Sequence, residues 1–155
     1  MRITLSLLII LFVVAVACNK DKFQTKPTIS IKSMTGDYIP LNASLRMTLE
    51  CTDKEGDVQD SVIVIKNRLN KRVVPTLRDT LRFKFPVFPS KPRTEIVLTF
   101  DYQNHLISAQ NPPFIPGSNP PQREVDTLVF KIAVKDNAGN VSDTIISPQV
   151  KVFRQ

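Results

Sequence analysis

The sequence lacks tryptophan altogether and contains one histidine, two cysteines and only four glycines. With so few of these residues, it has no pairing of histidine and cysteine at the spacing of metal ligands and no glycine-rich loop for phosphate. The single histidine, His105, has no nucleophile or carboxylate in a recognisable motif around it. A lone histidine in a loop is usually just solvated, so the sequence predicts that the protein is not an enzyme.

No apolar run is long enough to cross a bilayer as a helix, which needs about 20 residues. The longest run extends from Ile3 to Ala17 and is interrupted only by Thr4 and Ser6. Arg2, before it, is the only charged residue in this region. A positive start, an apolar middle and small residues before a cleavage site are typical of a secretory signal peptide. We therefore expect residues 1–17 to be removed.

The stretch Ala15-Val16-Ala17-Cys18 resembles the signal of bacterial lipoproteins, although leucine is usual where Ala15 stands. The resemblance implies that lipid is attached to the Cys18 thiol and that cleavage makes this residue the first of the mature chain. Its amine would then be acylated as well, and several acyl chains hold a protein stably on a membrane. The alternative is an ordinary signal peptide cleaved after Ala17.

Residues 18–27 are interpreted as the lipidated cysteine and a polar linker. Lys20-Asp21 resembles the surface-export signal of lipoproteins from the Bacteroidota, whereas Lys22 interrupts the expected acidic run. The expected location is a lipid-anchored position on the outer membrane of the cell envelope, in either the periplasmic or the surface leaflet. Cys51 is the only other cysteine, so a lipidated Cys18 leaves it without an intramolecular disulfide partner.

The formal net charge is +7, with 21 lysines and arginines against 14 acids. Residues 66–93 contain nine of the basic residues and one acid, Asp79. Such a segment could attract acidic polysaccharide or lipid headgroups. Because Arg82 and Lys84 alternate with apolar residues, the alternative is a solvated strand face. Nucleic acid is not an expected partner, since the expected location is the cell envelope and no motif of basic and aromatic residues is present.

Apolar and polar residues alternate with a period of two along most of the chain, which is typical of half-buried strands. In "SLRMTLEC", for example, Leu45, Met47 and Leu49 share one face with Cys51. A thiol on an apolar face is usually inert packing. Seven segments are interpreted as strands: 28–33, 44–51, 61–66, 79–85, 94–102, 126–135 and 147–153. The sequence therefore predicts an all-β protein, with a single antiparallel Ig-like sandwich over residues 28–155.

Two acidic turns, "CTDKEGDVQDSV" and "VKDNAGNVSDT", resemble loops of bacterial Ig-like, cadherin-like and fibronectin-type cell-surface domains. In such a sandwich the two loops lie at the same end. Carboxylate and amide oxygens are the ligands of calcium. The candidate calcium ligands are Asp53, Glu55, Asp57, Asp136 and Asn137, with Asp60 and Asn140 nearby. The alternative is that these residues only form turns, as Asp and Asn commonly do.

Residues 103–123 contain five of the 12 prolines and separate two strands. A loop of this length in a compact domain is usually functional or disordered. Phe114 and Ile115 within it could offer an apolar tip to a binding partner. They could equally fold back and cover one end of the sandwich.

A triplet of Asp, a hydroxyl residue and an aliphatic residue occurs four times and resembles the O-glycan acceptor sequence of exported Bacteroidota proteins. Its hydroxyl residues are Ser61, Thr80, Thr127 and Thr144. The alternative is that Asp ends a turn and Ser or Thr opens a strand.

These observations together predict a non-catalytic, membrane-anchored lipoprotein of the cell envelope that acts as a binding or scaffolding module. Its partner would be an envelope protein or a glycan, and no cofactor is required. The alternative function is a surface adhesion module that calcium stabilises.

Overall fold

The computed structural model describes residues 26–154. The expected signal peptide, Cys18 and most of the linker lie outside these residues. The described part contains nine strands and one π-helical turn. The strands are β1 (Thr28–Met34), β2 (Tyr38–Ile39), β3 (Leu45–Thr52), β4 (Ser61–Arg68), β5 (Thr80–Lys84), β6 (Arg93–Phe100), β7 (Asp126–Lys135), β8 (Ile145–Ile146) and β9 (Val150–Val152). The π-helical turn is Tyr102–Leu106.

The strands form two packed sheets. The smaller sheet has the order β1-β3-β6, and the larger one has the order β2-β9-β7-β4-β5, with β8 beside β7. All pairings are antiparallel except that of β2 with β9, which is parallel. The predicted all-β sandwich is thus confirmed, and all seven predicted strands are present. The two further strands, β2 and β8, have two residues each, too few for an alternating pattern to reveal them in the sequence.

The core lies between the sheets because β3, β4, β6 and β7 bury alternate side chains. In β7 the buried residues are Leu128, Phe130, Ile132 and Val134. Phe130 stacks on Phe100 of β6, with ring centroids 5.0 Å apart, and so joins the larger sheet to the smaller one. Burial of apolar surface at about 25 cal/mol per Å² is the main source of stability in such a core.

The sandwich has two ends, which face in opposite directions along β7. At about 3.3 Å per residue the ten residues of this strand span roughly 30 Å. The turn pole is formed by residues 53–60 and 136–143, and the loop pole by residues 101–125. The described chain enters at the turn pole, where Lys26 Nζ lies 2.5 Å from Asp143 Oδ1. No helix within residues 26–154 is long and apolar enough to cross a membrane.

Candidate functional site

The two acidic turns meet at the turn pole, as expected from the sequence. The N–H of Asn137 donates to the carbonyl of Asp57 at 3.1 Å. The second turn closes tightly because Gly139 adopts a positive φ of 95°, which glycine accepts without strain. The N–H of Asp136 then donates to the carbonyl of Asn140 at 3.0 Å. The chain therefore brings both groups of candidate calcium ligands to one place.

Two of these carboxylates act as turn formers. Asp136 is buried, and its two oxygens accept hydrogen bonds from the backbone N–H (2.7 Å) and side-chain amide (2.9 Å) of Asn140. Asp53 is also buried, and its Oδ2 accepts from the N–H of Asp57 at 3.2 Å. Glu55 is exposed. Both carboxylate oxygens of Asp136 therefore accept a hydrogen bond within their own turn.

Not all of the carboxylate oxygens at this pole are satisfied. Oδ1 of Asp53 and Oδ1 of Asp57 are buried and have no hydrogen-bond partner. The pKa of Asp57 is raised, first by desolvation, then by a hydrogen bond that its protonated form donates to Asp53, and by the negative charges of Asp136, Asp53 and Glu55. The negatively charged form of Asp57 is thus disfavoured in the folded chain. Even so, no three His, Cys, Asp or Glu side chains within residues 26–154 are grouped so as to hold a metal ion.

The proline-containing segment at the loop pole has two parts, and the part that covers the core is not the one that carries Phe114 and Ile115. Its first part folds back over the end of the core, where Leu106 and Ala109 are fully buried. This part is fixed to the preceding segment by hydrogen bonds from Leu77 N–H to the Ser108 carbonyl (2.8 Å) and from Gln110 N–H to the Pro75 carbonyl (2.9 Å). The second part projects away from the core.

The projecting part carries Phe114 and Ile115, which are 53% and 40% exposed. The guanidinium of Arg123 lies 4.5 Å from the centroid of the Phe114 ring, and Arg72 donates to the Phe114 carbonyl at 3.2 Å. The N–H of Ile115 donates to the carbonyl of Gln122 at 2.8 Å. These contacts fix the backbone at Phe114 and Ile115 and place the Arg123 guanidinium over the Phe114 ring. We call residues 112–123 the projecting loop.

A buried lysine lies beneath the loop pole and was missed by the sequence analysis. Lys66 is only 2% exposed, and its ammonium donates to the carbonyls of His105 (2.8 Å) and Ile107 (2.5 Å). Burial lowers its pKa to about 8, although the charge of Asp79 acts in the opposite direction. The alternation of β4 was the available signal, because it places this lysine on the same face as Val62 and Val64.

The carboxylate of Asp126 joins the loop pole to the core. The sequence did not indicate this role. Asp126 is fully buried and accepts hydrogen bonds from Arg68 Nε at 2.7 Å and Arg154 Nη1 at 2.5 Å. It also accepts from the N–H groups of Ser108 and Ala109, both at 3.2 Å. The carboxylate thereby fixes the base of the proline-containing segment to both β4 and the C-terminal end.

The basic segment 66–93 does not form a single patch, because Lys66 and Arg68 point towards the interior. Arg82 and Lys84 are exposed on β5, which agrees with a solvated strand face.

The four hydroxyl residues of the repeated triplet differ in exposure. Thr80 and Thr144 are exposed, whereas Ser61 and Thr127 are partly buried. Ser61 and Thr80 each begin a strand, Thr127 is second in β7, and Thr144 directly precedes β8. Thr80 and Thr144 are therefore the more accessible candidates for O-glycosylation.

Burial shifts the pKa of both residues that were considered for catalysis. Cys51 is buried, and desolvation raises the pKa of its thiol to about 12. His105 accepts a hydrogen bond at Nδ1 from the N–H of Asp101 at 2.9 Å, and burial lowers its pKa.

Comparison of the chain with protein-family models, curated proteins and solved structures finds no match.

Proposed function

We propose that this protein is a non-catalytic, lipid-anchored binding module of a bacterial cell envelope, of the kind found in the Bacteroidota. Cys18 would carry the lipid on the outer membrane, in the periplasmic or the surface leaflet. Residues 19–27 would connect the anchor to the turn pole of the sandwich, and the opposite pole would meet a partner protein of the envelope or its glycan.

The observation that carries this proposal is the position of the projecting loop. Phe114 and Ile115 lie at the pole opposite Lys26, roughly 30 Å from the end where the chain would leave for the membrane. A module anchored at the turn pole would therefore present its apolar tip away from the lipid surface.

The way in which the tip is held also supports binding. An apolar side chain that is already fixed loses less conformational entropy when a partner covers it. Arg123 contacts the Phe114 ring, and Ser118 binds the Ile115 carbonyl through its hydroxyl at 2.9 Å. Aromatic residues and arginine are also the residue types that contribute most to protein interfaces.

Chemical cross-linking in intact cells tests the role of the loop. Phe114→Asp should abolish cross-linking to the partner that the unchanged protein captures. Val141→Asp is the matched control, because Val141 is 45% exposed but follows the turn at the opposite pole. Unchanged capture by Phe114→Asp would remove the projecting loop from the proposal. Cys18→Ser tests the anchor separately, since full membrane association of that variant would contradict lipidation.

The second candidate function is a calcium-stabilised adhesion module. The unsatisfied buried oxygens of Asp53 and Asp57 favour it, since calcium binds carboxylate oxygens and would offset their mutual repulsion. Thermal melting with millimolar calcium, and then with chelator, tests it. Ligand at about 100 times its dissociation constant adds roughly 2.7 kcal/mol to the free energy of unfolding. The absence of any shift would leave the acidic residues as turn formers.

A further inference from the structure

The open edge of the smaller sheet is long and regular. Within residues 26–154, β6 pairs with β3 only, so one side of its eight residues has no neighbouring strand. Its register with β3 is continuous from Phe100, opposite Leu45, to Arg93, opposite Thr52. Proline residues and bulges usually protect a sheet edge from pairing with another chain, and β6 contains neither.

The direction of the backbone groups of β6 follows from one bond at its start. The N–H of Asp53 donates to the carbonyl of Pro92 at 2.9 Å. In an antiparallel pair, alternate residues bond to the partner strand, so the even-numbered residues of β6 face β3 and the odd-numbered ones face outward. The outward groups belong to Arg93, Glu95, Val97 and Thr99. As far as residues 26–154 are concerned, they form a row of unpaired donors and acceptors about 20 Å long.

An apolar groove runs beside this row of backbone groups. Its volume is about 600 Å³, and it lies between β6 and residues 83–89. Phe85 and Phe88 stand edge to face on one wall, with ring centroids 6.5 Å apart. Val97, 52% exposed, contributes an apolar side chain from the other wall. An extended segment that paired with β6 would place some of its side chains in this groove.

The rim of the groove is positively charged. Lys84, Lys91 and Arg93 line it, and the acid among its lining residues, Glu95, forms an ion pair with Lys32. Within residues 26–154, Lys84 and Lys91 form no ion pair. The groove therefore has two cations without a counter-charge next to a row of unpaired backbone groups.

We infer that this groove binds an extended acidic segment of a partner protein, which adds to β6 as a further strand. Strand addition to an exposed sheet edge is a common way to bind peptides, with the backbone supplying affinity and the pockets supplying specificity. Carboxylates of the added segment would neutralise Lys84 and Lys91, and its apolar side chains would contact Phe85 and Phe88. This surface is separate from the projecting loop.

Charge distinguishes this occupant from a second copy of the chain. A second copy of β6 would bring a single acidic side chain to the groove, that of Glu95, which already forms an ion pair with Lys32. An acidic segment supplies the carboxylates that complement Lys84 and Lys91.

The test uses the full chain and a fluorescent peptide of about ten residues, the length of a strand, in which valine and glutamate alternate. Binding is followed by fluorescence anisotropy. We expect the peptide to bind and its affinity to fall as salt is added. A peptide of alternating valine and lysine is the control, and equal binding of that peptide would overturn the inference, as would failure of the acidic one to bind.

Val97→Pro tests strand addition directly. Because the N–H of Val97 faces outward, proline there removes a donor from the free edge and leaves the bonds to β3 intact. We expect the affinity of Val97→Pro for the acidic peptide to lie about tenfold or more below that of Val97→Thr, which also replaces the apolar side chain but keeps the N–H. Unchanged affinity of a folded Val97→Pro variant would contradict strand addition.

A second pair of substitutions keeps the inference testable if Val97→Pro does not fold. Lys84→Glu combined with Lys91→Glu changes only exposed side chains, so the fold should persist. We expect this double variant to lose the acidic peptide. Amide hydrogen exchange of Glu95, Val97 and Thr99 should slow when the peptide binds. Sedimentation measures self-association, and a dimer that Val97→Pro dissociates would identify a second copy as the occupant and overturn the inference.

Discussion

The ammonium of Lys66 lies 2.8 Å from the carbonyl oxygen of His105, a residue 39 positions further along the chain. Through this bond β4 of the larger sheet fixes the π-helical turn that follows β6 of the smaller one. The last carbonyls of a helical turn have no partner within it, and the lysine supplies a donor to them from the core. The loop pole is thus built on a buried charge.

This arrangement makes stability depend on pH in the alkaline range. The pKa of Lys66 is about 8 in the folded chain against an ordinary value of 10.5. Between these values the unfolded chain binds a proton that the folded chain has released, so the free energy of unfolding rises with pH. The gain from this group is on the order of 3 kcal/mol.

Urea unfolding of the wild type and of Lys66→Met at pH 8 to 10 measures this effect. We expect the stability of the wild type relative to the variant to increase steadily over the range. Subtracting the stability of the variant from that of the wild type removes the contributions of Cys51 and Tyr102. Parallel curves for the two proteins would show that the lysine has an ordinary pKa in the fold.

The sequence predicts the strand that carries Lys66 but not the burial of its side chain. The alternation of β4 correctly identified a strand, and the same alternation places Lys66 on the buried face with Val64. The charge of a lysine argues for exposure, so the basic segment was interpreted as a surface feature. Burial of the ammonium is tolerated because two carbonyls of a turn distant in sequence accept its hydrogen bonds, a contact that the local pattern does not reveal.

The sequence predicted the meeting of the two acidic turns but not the buried carboxylate of Asp126, and the reason is again the distance between contacting residues along the chain. The two turns at the turn pole were correctly placed together, because strand order alone determines which loops share an end of a sandwich. Asp126, in contrast, stood in the sequence only as the first residue of a repeated triplet. Its partners Arg68 and Arg154 are 58 and 28 residues away, and no local pattern encodes such a distance.

Asp126→Asn should strongly destabilise the protein. The side chain is fully buried, and its charge neutralises Arg68 and Arg154, whose own side chains are 5% and 11% exposed. Removal of one partner from a buried ion pair costs about 3–5 kcal/mol, because the remaining charge is left uncompensated. Here that charge is Arg154, since Arg68 keeps an ion pair with Glu124 at 2.9 Å. Chemical denaturation at neutral pH measures the loss. Asp143→Asn is the control, since its exposed pair with Lys26 should contribute at most about 1 kcal/mol. Similar losses for the two variants would contradict the importance of the buried network.

Gly56→Ala should also destabilise the protein, through the backbone. Gly56 has a φ of +71°, and an added Cβ would lie 2.9 Å from the backbone of Lys91. Left-handed strain costs roughly 1–2 kcal/mol and forced overpacking about 1–3 kcal/mol more. Gly139→Ala is the matched control, because its φ is +95° and no atom lies within 4 Å of the added carbon. A thermal melt should show a clearly larger loss for Gly56→Ala, and equal losses would mean that the Lys91 segment moves aside freely.

Asp57→Asn should stabilise the calcium-free protein at neutral pH. The pKa of Asp57 is raised in the folded chain, chiefly by desolvation and also by the neighbouring carboxylates. The folded chain therefore holds this proton more tightly than the unfolded chain, and its free energy of unfolding falls as pH rises through the folded pKa. Asparagine has no proton to lose, so the variant should be the more stable one at pH 7 and the difference should shrink towards acidic pH.

The same variant separates the two candidate functions when it is melted with calcium. If the turn pole binds the ion, calcium should stabilise the wild type and have little effect on Asp57→Asn, because the ligand charge has been removed. If these acids only form turns, calcium should leave both melting temperatures unchanged, and the variant should keep its advantage at neutral pH. A variant that is less stable than the wild type without calcium would show that the Asp57 carboxylate is favourable in the fold, in contradiction to its raised pKa.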